Sequence, residues 1–334
     1  MTGAARLTRQ LYDFLRRRER PACPPFRLWV DLTSRCNLAC AACAQRMLPD
    51  HQRRPMSDTL LESIAEQVAG LGCEVNLFHR GEPLMHPEFA RWLARFRQAG
   101  ARLIRLHTNA TLLSAERVSE LIADPPDLLT LSVDTLDPIA YAAARSGAHL
   151  EHTLAGVGRL LAARRAAGAA LPRITLLLMG AQHWGPAEKA RLAGLQAAGL
   201  DRVVHRASHN WGGAVPSRGA APQRSAEGRL HACTFPWYGL AVLSDGRVTP
   251  CPQDFFGDMT LGRADEAPLL EIWRGQAARW LRRAHAALGL ERYPVCAACD
   301  RPRRPTFLGL PREHLKNLLV ESIVSTPGRG RPRQ

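Results

Sequence analysis

Seven of the nine cysteines in this 334-residue chain fall into two groups whose spacing could do chemistry. Cys36, Cys40 and Cys43 stand on one short stretch, with three and then two residues between them. Three thiolates on one loop can hold three irons of a [4Fe-4S] cube and leave the fourth iron without a protein ligand. An iron left open in this way can bind a reactant. The other reading is a closed zinc site, which takes four ligands and would need one more, such as His51. The second group is Cys233, Cys251 and the pair Cys296-x2-Cys299. Four thiolates suffice for every iron corner of a second [4Fe-4S] cluster, and equally for a ribbon-like zinc site. Cys23 and Cys73 fit neither group and read as packing residues.

Composition bounds what surrounds these groups. A hydrophobic content of 46% suits a globular chain, and the length allows a domain of about 200 residues plus a smaller one. No apolar run reaches membrane-spanning length, and residues 1–20 lack the apolar core and cleavage site of a signal peptide, so the expected location is the cytoplasm. Without an export signal the cysteines read as reduced and metal-binding. The net charge of +15 raises the question of nucleic acid. However, Lys189 and Lys316 are the only lysines, and the arginines are scattered along the whole chain, which is not the pattern of a binding stripe.

The elements that must position the cysteines follow from periodicity. Residues 1–25 hold an amphipathic helix through Leu7, Leu11, Phe14 and Leu15, ending in Arg16, Arg17 and Arg18. An apolar run at 26–33 reads as the first strand and leads straight into the cysteine loop. Ser57 caps a helix with Leu60, Ile64 and Val68 on one face, and residues 74–78 are a buried strand. A helix opening at His86-Pro87 and a strand at 103–106 follow. Ser114 caps the next helix, 128–133 is a strand, and Asp137-Pro138 starts another helix. Helical pattern at 154–167, a strand at 174–179, a helix at 186–198 and a strand at 202–205 complete the series. About six strand–helix alternations demand parallel strands with right-handed crossovers, and too few for a closed eightfold barrel. The expected fold class is α/β, an open partial (β/α)6 TIM-like barrel, with reactive groups on loops at the C-terminal strand ends. Residues 207–232, rich in Gly, Pro, Ser and Arg, read as an exposed connection. Ser244-Asp245-Gly246 marks a hairpin turn in a small α+β domain over 233–300, and 301–334 is a basic tail with an amphipathic stretch at 315–323.

At the end of the second strand stands Arg80-Gly81-Glu82-Pro83-Leu84, where a glycine permits close backbone approach and a carboxylate can receive an ammonium group. With the cysteine loop one strand earlier, the chain resembles the radical S-adenosylmethionine (SAM) superfamily. Cys36, Cys40 and Cys43 match its Cys-x3-Cys-x2-Cys, and residues 80–83 match its Gly-Gly-Glu-Pro with Arg80 in the first glycine's place. Thr108-Asn109-Ala110 looks like the family's Thr-Asn-Gly, Ser132-x-Asp134 like its ribose-binding pair, and Tyr141-x3-Arg145 with Gly147 like the segment that meets the SAM carboxylate. Ala42 and Ala110 depart from the family, which favours a bulky residue and a glycine there. The resemblance spans 27–206 and defines a radical SAM core over 26–206.

The resemblance implies that SAM chelates the open iron and that its reductive cleavage yields a 5′-deoxyadenosyl radical, which takes a hydrogen atom from an unactivated carbon. Gly81, Glu82, Pro83, Thr108, Asn109, Ser132, Asp134 and Arg145 would be the SAM-binding residues, with Glu82 on the ammonium, Arg145 on the carboxylate and Ser132 and Asp134 on the ribose. A flavodoxin- or ferredoxin-type protein would supply the electron. The twelve residues between Cys233 and Gly246, followed by Gly246-x4-Cys251, resemble the auxiliary-cluster domains called SPASM, and four cysteines in all resemble their shortened twitch form. A fully ligated auxiliary cluster suits an electron acceptor, so the expected reaction is oxidation of a small polar metabolite such as a sugar or cyclitol alcohol. Modification of a peptide, by crosslinking or epimerisation, is the alternative within the superfamily. A zinc-binding, arginine-rich nucleic-acid protein is the alternative outside it. His183, His205 and His209, on or after the last two barrel strands, are candidate proton acceptors.

Overall fold

The computed structural model describes residues 3–179, 184–215, 230–307 and 310–312. His183, the stretch at 315–323 and the end of the basic tail lie outside the described residues. Helix α1 (Gly3–Leu15) stops ahead of the arginine run. Arg17 takes a left-handed φ of 51°, and its guanidinium donates to the Phe14 carbonyl at 2.8 Å, so the run caps the helix from outside its last turn.

Strands β1 (Arg27–Val30), β2 (Glu74–Asn76), β3 (Ile104–Thr108), β4 (Leu128–Asp134), β5 (Arg173–Met179) and β6 (Arg202–Arg206) pair in parallel, each with the next in the chain. The crossovers carry α2 (Asp58–Leu71), α3 (Phe89–Gln98), α4 (Ala115–Ala123), the short α5 (Pro138–Ala144) with α6 (Leu150–Ala166), and α7 (Pro186–Ala197). This is the partial barrel that the alternation implies. Ser57, Ser114 and Asp137 each cap their helix through a side-chain oxygen, accepting from the amides of Leu60, Arg117 and Ala140. One helix start differs. α3 opens at Phe89 and not at His86-Pro87, because Pro83–Met85 forms a 3-10 turn whose Leu84 amide is held by the Glu82 carboxylate.

The sheet does not end with the barrel. β7 (Gly239–Val242) lies parallel to β1, with Arg27 opposite Gly239 and Val30 opposite Val242. β8 (Arg247–Thr249) and β9 (Gly262–Arg263) add antiparallel to it, giving one nine-stranded sheet in the order β6-β5-β4-β3-β2-β1-β7-β8-β9. The turn signal at 244–246 forms the β7–β8 hairpin, with Gly246 at φ 90°. Leu28, Val75 and Leu106 of the barrel therefore share one core with Leu240, Val248 and Ile272 of the C-terminal part. Beyond the hairpin come α8 (Leu269–Arg274), α9 (Gln276–Ala287) and α10 (Pro294–Ala298). Of the stretch expected to be an exposed connection, residues 207–215 and 230–232 are described, with Ala207 and Gly213 exposed. Ser208, Val215 and Ala232 are buried, and Trp211–Gly213 forms a short 3-10 turn. Among the described residues no helix is long and apolar enough to cross a membrane.

Candidate active site

The cysteine loop leaves the C-terminal end of β1 through a buried polar knot. Asp31 accepts from the Arg80 amide at 3.1 Å, from Arg80 Nε at 2.7 Å and from Ser34 Oγ at 2.7 Å. Arg80 Nη2 reaches on to Ser244 Oγ at 3.0 Å, in the β7–β8 turn, and Ser244 Oγ lies 2.7 Å from Ser34 Oγ. Burial alone would raise the Asp31 carboxyl, but Arg80, His79 and the Ser34 hydroxyl outweigh it and hold it below the usual range. The residue standing in the family's glycine position is thus the cation of an ion pair, with both side chains fully buried, that ties the SAM motif to the C-terminal hairpin. Next to it, Gly81 presses against the carbonyls of Thr33 and Arg35, where any Cβ would collide with backbone. An arginine in place of a strand-end glycine was the sequence signal for this knot, since a cation there requires a carboxylate partner.

Cys36, Cys40 and Cys43 are all partly exposed. Their loop lies along the α5–α6 connection, with the Ala39 and Ala41 amides donating to the carbonyls of Ser146 and Ala144. Asn109 Nδ2 donates to Asn37 Oδ1 at 2.9 Å and sits 3.9 Å from Cys36 Sγ. Burial pushes Cys36 up to about 11 and Cys43 up to about 12, and it raises Cys40. Thiolates in such a place need the positive charge of a metal beside them. Glu82 is 2% exposed and is saturated from within: Thr108 Oγ1 and the Asn109 amide each donate at 2.7 Å, and the Leu84 amide at 3.1 Å. Burial raises its carboxyl despite these donors. Gly81, Glu82, Pro83, Thr108 and Asn109 therefore form one cradle behind the cysteines.

Arg145 is buried and fork-bonded to Asp134, Nε to Oδ2 and Nη2 to Oδ1 at 3.0 Å each, while Asp134 itself takes a left-handed φ of 70° at the irregular end of β4. Burial works against the Arg145 charge, but Asp134 more than compensates. Ser132, two residues before Asp134, is half-buried on the same strand. The two residues expected on different parts of SAM are thus partners of each other before any ligand is considered.

The histidines separate. His205 is exposed at the end of β6, its ring 5.6 Å from that of Trp184. His209 has a buried Nε2 with no hydrogen-bond partner among the described residues and a ring 4.3 Å from Trp211. Burial first, and then Arg301, Arg304 and Arg206, hold it well below its ordinary value, so it is neutral and proton-accepting at physiological pH. His79, which sequence reasoning passed over, has the same character: its Nε2 is buried without a partner among the described residues, and burial lowers it to about 4. Trp211 Nε1 donates to the Ala42 carbonyl at 3.3 Å, laying an indole from the segment after β6 over the cysteine loop.

In the C-terminal domain, Cys233, Cys251, Cys296 and Cys299 line one cavity with Met259 and His285. Burial raises all four thiols, Cys299 to about 12; Cys233 raises the other three further, and Cys251 and Cys299 add to the rise at Cys296. His285 Nε2 is 3.5 Å from Cys296 Sγ, and Met259 Sδ is 3.6 Å from the same sulfur. Asp254 accepts from the Asp258 and Met259 amides at 2.9 Å, and burial raises it to about 6. Among the described residues no three His, Cys, Asp or Glu side chains converge on a single ion. A cube asks for less convergence, because each thiolate binds a different iron. Four cysteines around one buried cavity fit such a cube, and three on the outer loop fit a cube with one open corner. Cys23 and Cys73 are buried in the packing, as expected.

Comparison with known proteins agrees with this geometry. Residues 30–179 match the Radical SAM superfamily, and residues 233–300 match an iron–sulfur cluster-binding domain. The PqqA peptide cyclase of Streptomyces rochei is 28% identical over 92% of this chain and 89% of its own length. The GTP 3′,8-cyclase 2 of Mycobacterium bovis is 37% identical, but over only 45% of this chain and 42% of its own length. Among solved structures, Streptococcus suis SuiB bound to precursor peptide SuiA superposes with a TM-score of 0.63 at 14% identity, covering 89% of this chain and 74% of SuiB. BtrN in complex with AdoMet and 2-DOIA gives 0.56 at 18% identity, covering 82% of this chain and 92% of BtrN.

Proposed function

We infer that this radical SAM superfamily enzyme, with its auxiliary iron–sulfur domain, carries out a net two-electron oxidation begun by hydrogen-atom abstraction. The cofactors are a [4Fe-4S] cluster on Cys36, Cys40 and Cys43, SAM, and an auxiliary iron–sulfur cluster on Cys233, Cys251, Cys296 and Cys299. SAM on the first cluster, once reduced by an external electron donor, supplies the radical that takes the hydrogen atom. The chain's own residues hold and orient. The Glu82–Thr108–Asn109 cradle would hold the wall beside Cys36, and Arg145 with Asp134 would offer a paired cation and anion to SAM's carboxylate and ribose hydroxyls. Trp211 covers the cysteine loop and limits water. Bound at Cys233, Cys251, Cys296 and Cys299, the auxiliary cluster would supply the one-electron acceptor, and a neutral histidine, His209 or His79, would take the proton released from the heteroatom beside the radical carbon.

The observation that carries this reading is the closed auxiliary site. Cys233, Cys251, Cys296 and Cys299 line one cavity, and four thiolates would fill every corner of a cube, which favours electron transfer over substrate binding as its role. For the substrate, a peptide side chain is favoured by the match to PqqA peptide cyclase over nearly the whole chain. A small polar metabolite, a sugar or cyclitol alcohol, is the second reading, favoured by the Trp211 cover over the cysteine loop.

The test is anaerobic turnover with dithionite, scoring 5′-deoxyadenosine without substrate and then with deuterated peptide and cyclitol panels. Deuterium appearing in 5′-deoxyadenosine identifies the substrate class. Cys251→Ala should still form 5′-deoxyadenosine but yield no oxidised product. Full oxidation by that variant would remove the electron-acceptor role.

A further inference from the structure

His285 lies at the end of α9 and is fully buried, yet neither cysteine motif contains it. Its two ring nitrogens face different cysteines from opposite ends of the auxiliary domain. The Cys233 amide donates to Nδ1 at 3.3 Å, and Nε2 stands 3.5 Å from Cys296 Sγ. A backbone N–H can only donate, so Nδ1 must be the acceptor and carry no proton. The ring's proton is then on Nε2 and points at the Cys296 sulfur. The ring is also held firmly. Trp237 packs edge-on with centroids 6.4 Å apart, and one turn earlier in α9 Arg282 anchors the helix to the Pro236 carbonyl at 2.8 Å and the Glu19 carbonyl at 3.1 Å.

We propose that His285 is a potential-setting residue of the auxiliary cluster, donating a hydrogen bond from Nε2 to the Cys296 thiolate while its Nδ1 fixes the Cys233 backbone. A donor to a cluster sulfur stabilises the reduced state, which carries one more negative charge, and so raises the reduction potential. The effect is directional: His285 makes the auxiliary cluster a better electron acceptor. Met259 touches the same sulfur but brings no comparable proton, so it excludes water without tuning in this way. The inference rests on the presence of the auxiliary cluster and not on the direction of electron flow in turnover.

The experiment is an EPR-monitored redox titration of anaerobically reconstituted wild type, His285→Phe and His285→Gln, with iron counted in each. His285→Phe should lower the auxiliary couple by about tenfold in its one-electron equilibrium constant, about 59 mV, while the SAM-cluster couple stays put. His285→Gln, which keeps an N–H donor, should recover part of that shift. An unmoved auxiliary couple with full iron content would overturn the proposal. If His285→Phe loses the second cluster, the decision passes to wild-type protein labelled with 15N-histidine. There the reduced auxiliary cluster should show a weak histidine-nitrogen coupling in pulsed EPR, absent in His285→Gln. No coupling, or the strong coupling of a direct iron–nitrogen bond, would sink it. Only about four irons in wild type would instead remove the auxiliary cluster itself, a different failure from an unshifted potential.

Discussion

The two cysteine sites differ in how they meet their surroundings. Cys36, Cys40 and Cys43 sit on one loop, each partly exposed, with one corner's worth of ligand missing. Cys251, Cys296 and Cys299 are buried, and with Cys233 they are gathered from three separate stretches of chain around an interior cavity. An open, local site can exchange SAM and product. A closed, non-local site can hold a cluster against exchange and pass electrons only. The carboxylates beside them repeat the contrast. Asp31, behind the first site, is buried against a cation. Asp254, beside the second, is buried on two backbone amides and rises to about 6.

The sharpest way to break this comparison is to empty each site in turn. Cys36, Cys40 and Cys43 changed together to Ala should cut iron from about eight to about four per chain and abolish SAM cleavage. Cys251→Ala should also remove about four irons while leaving SAM cleavage intact. The same loss of cleavage in both variants would mean that the sites are not functionally separate.

The link between the sites is the next target. Arg80→Leu leaves Asp31 buried without its ion-pair partner and should cost about 3–5 kcal/mol in urea denaturation. Changing Asp31→Asn in addition should recover much of that loss, because the two side chains act as one unit.

Acid titration should separate the two carboxylates. Asp31 is depressed in the folded state, so its contribution is complete above the unfolded value of about 3.9 and lost as pH falls through its lower folded value. Asp254 runs the other way. Between about 6 and about 3.9 the folded protein binds a proton that the unfolded chain releases, so this group makes stability rise as pH falls through that window. Urea midpoints against pH should lose the rise in Asp254→Asn and keep it in wild type. The smallest effect is reserved for Ser244→Ala. It removes the hydroxyl between Arg80 and Ser34 and should cost about 1–3 kcal/mol, with a weaker coupling between hairpin and barrel visible as faster amide exchange in the β7–β8 turn.

Much of this was written locally in the chain. The three-cysteine spacing, the Ser57, Ser114 and Asp137 caps and the six alternations are short-range patterns, and short-range patterns survive in sequence because neighbours in the chain are neighbours in space. The helix start at Phe89 was misplaced because a proline at a first helical position looks the same whether or not a carboxylate five residues earlier, here Glu82, diverts the turn. Within the described parts of 207–232, Ser208, Val215 and Ala232 are buried while Ala207 and Gly213 are exposed, a mixture that composition does not resolve.

By itself the sequence determined the class of chemistry and the strand order of the barrel, since motif spacing and hydrophobic period are properties of contiguous residues. Only the tertiary structure decided that β7 joins β1, that Arg80 pairs with Asp31 and reaches Ser244, and that His285 faces both Cys233 and Cys296. Each of these is a contact between residues more than ten positions apart, and most are separated by fifty or more. Loop closure of that length leaves no periodic trace, because its reward is paid in burial and hydrogen bonding that appear only once the sheet is assembled.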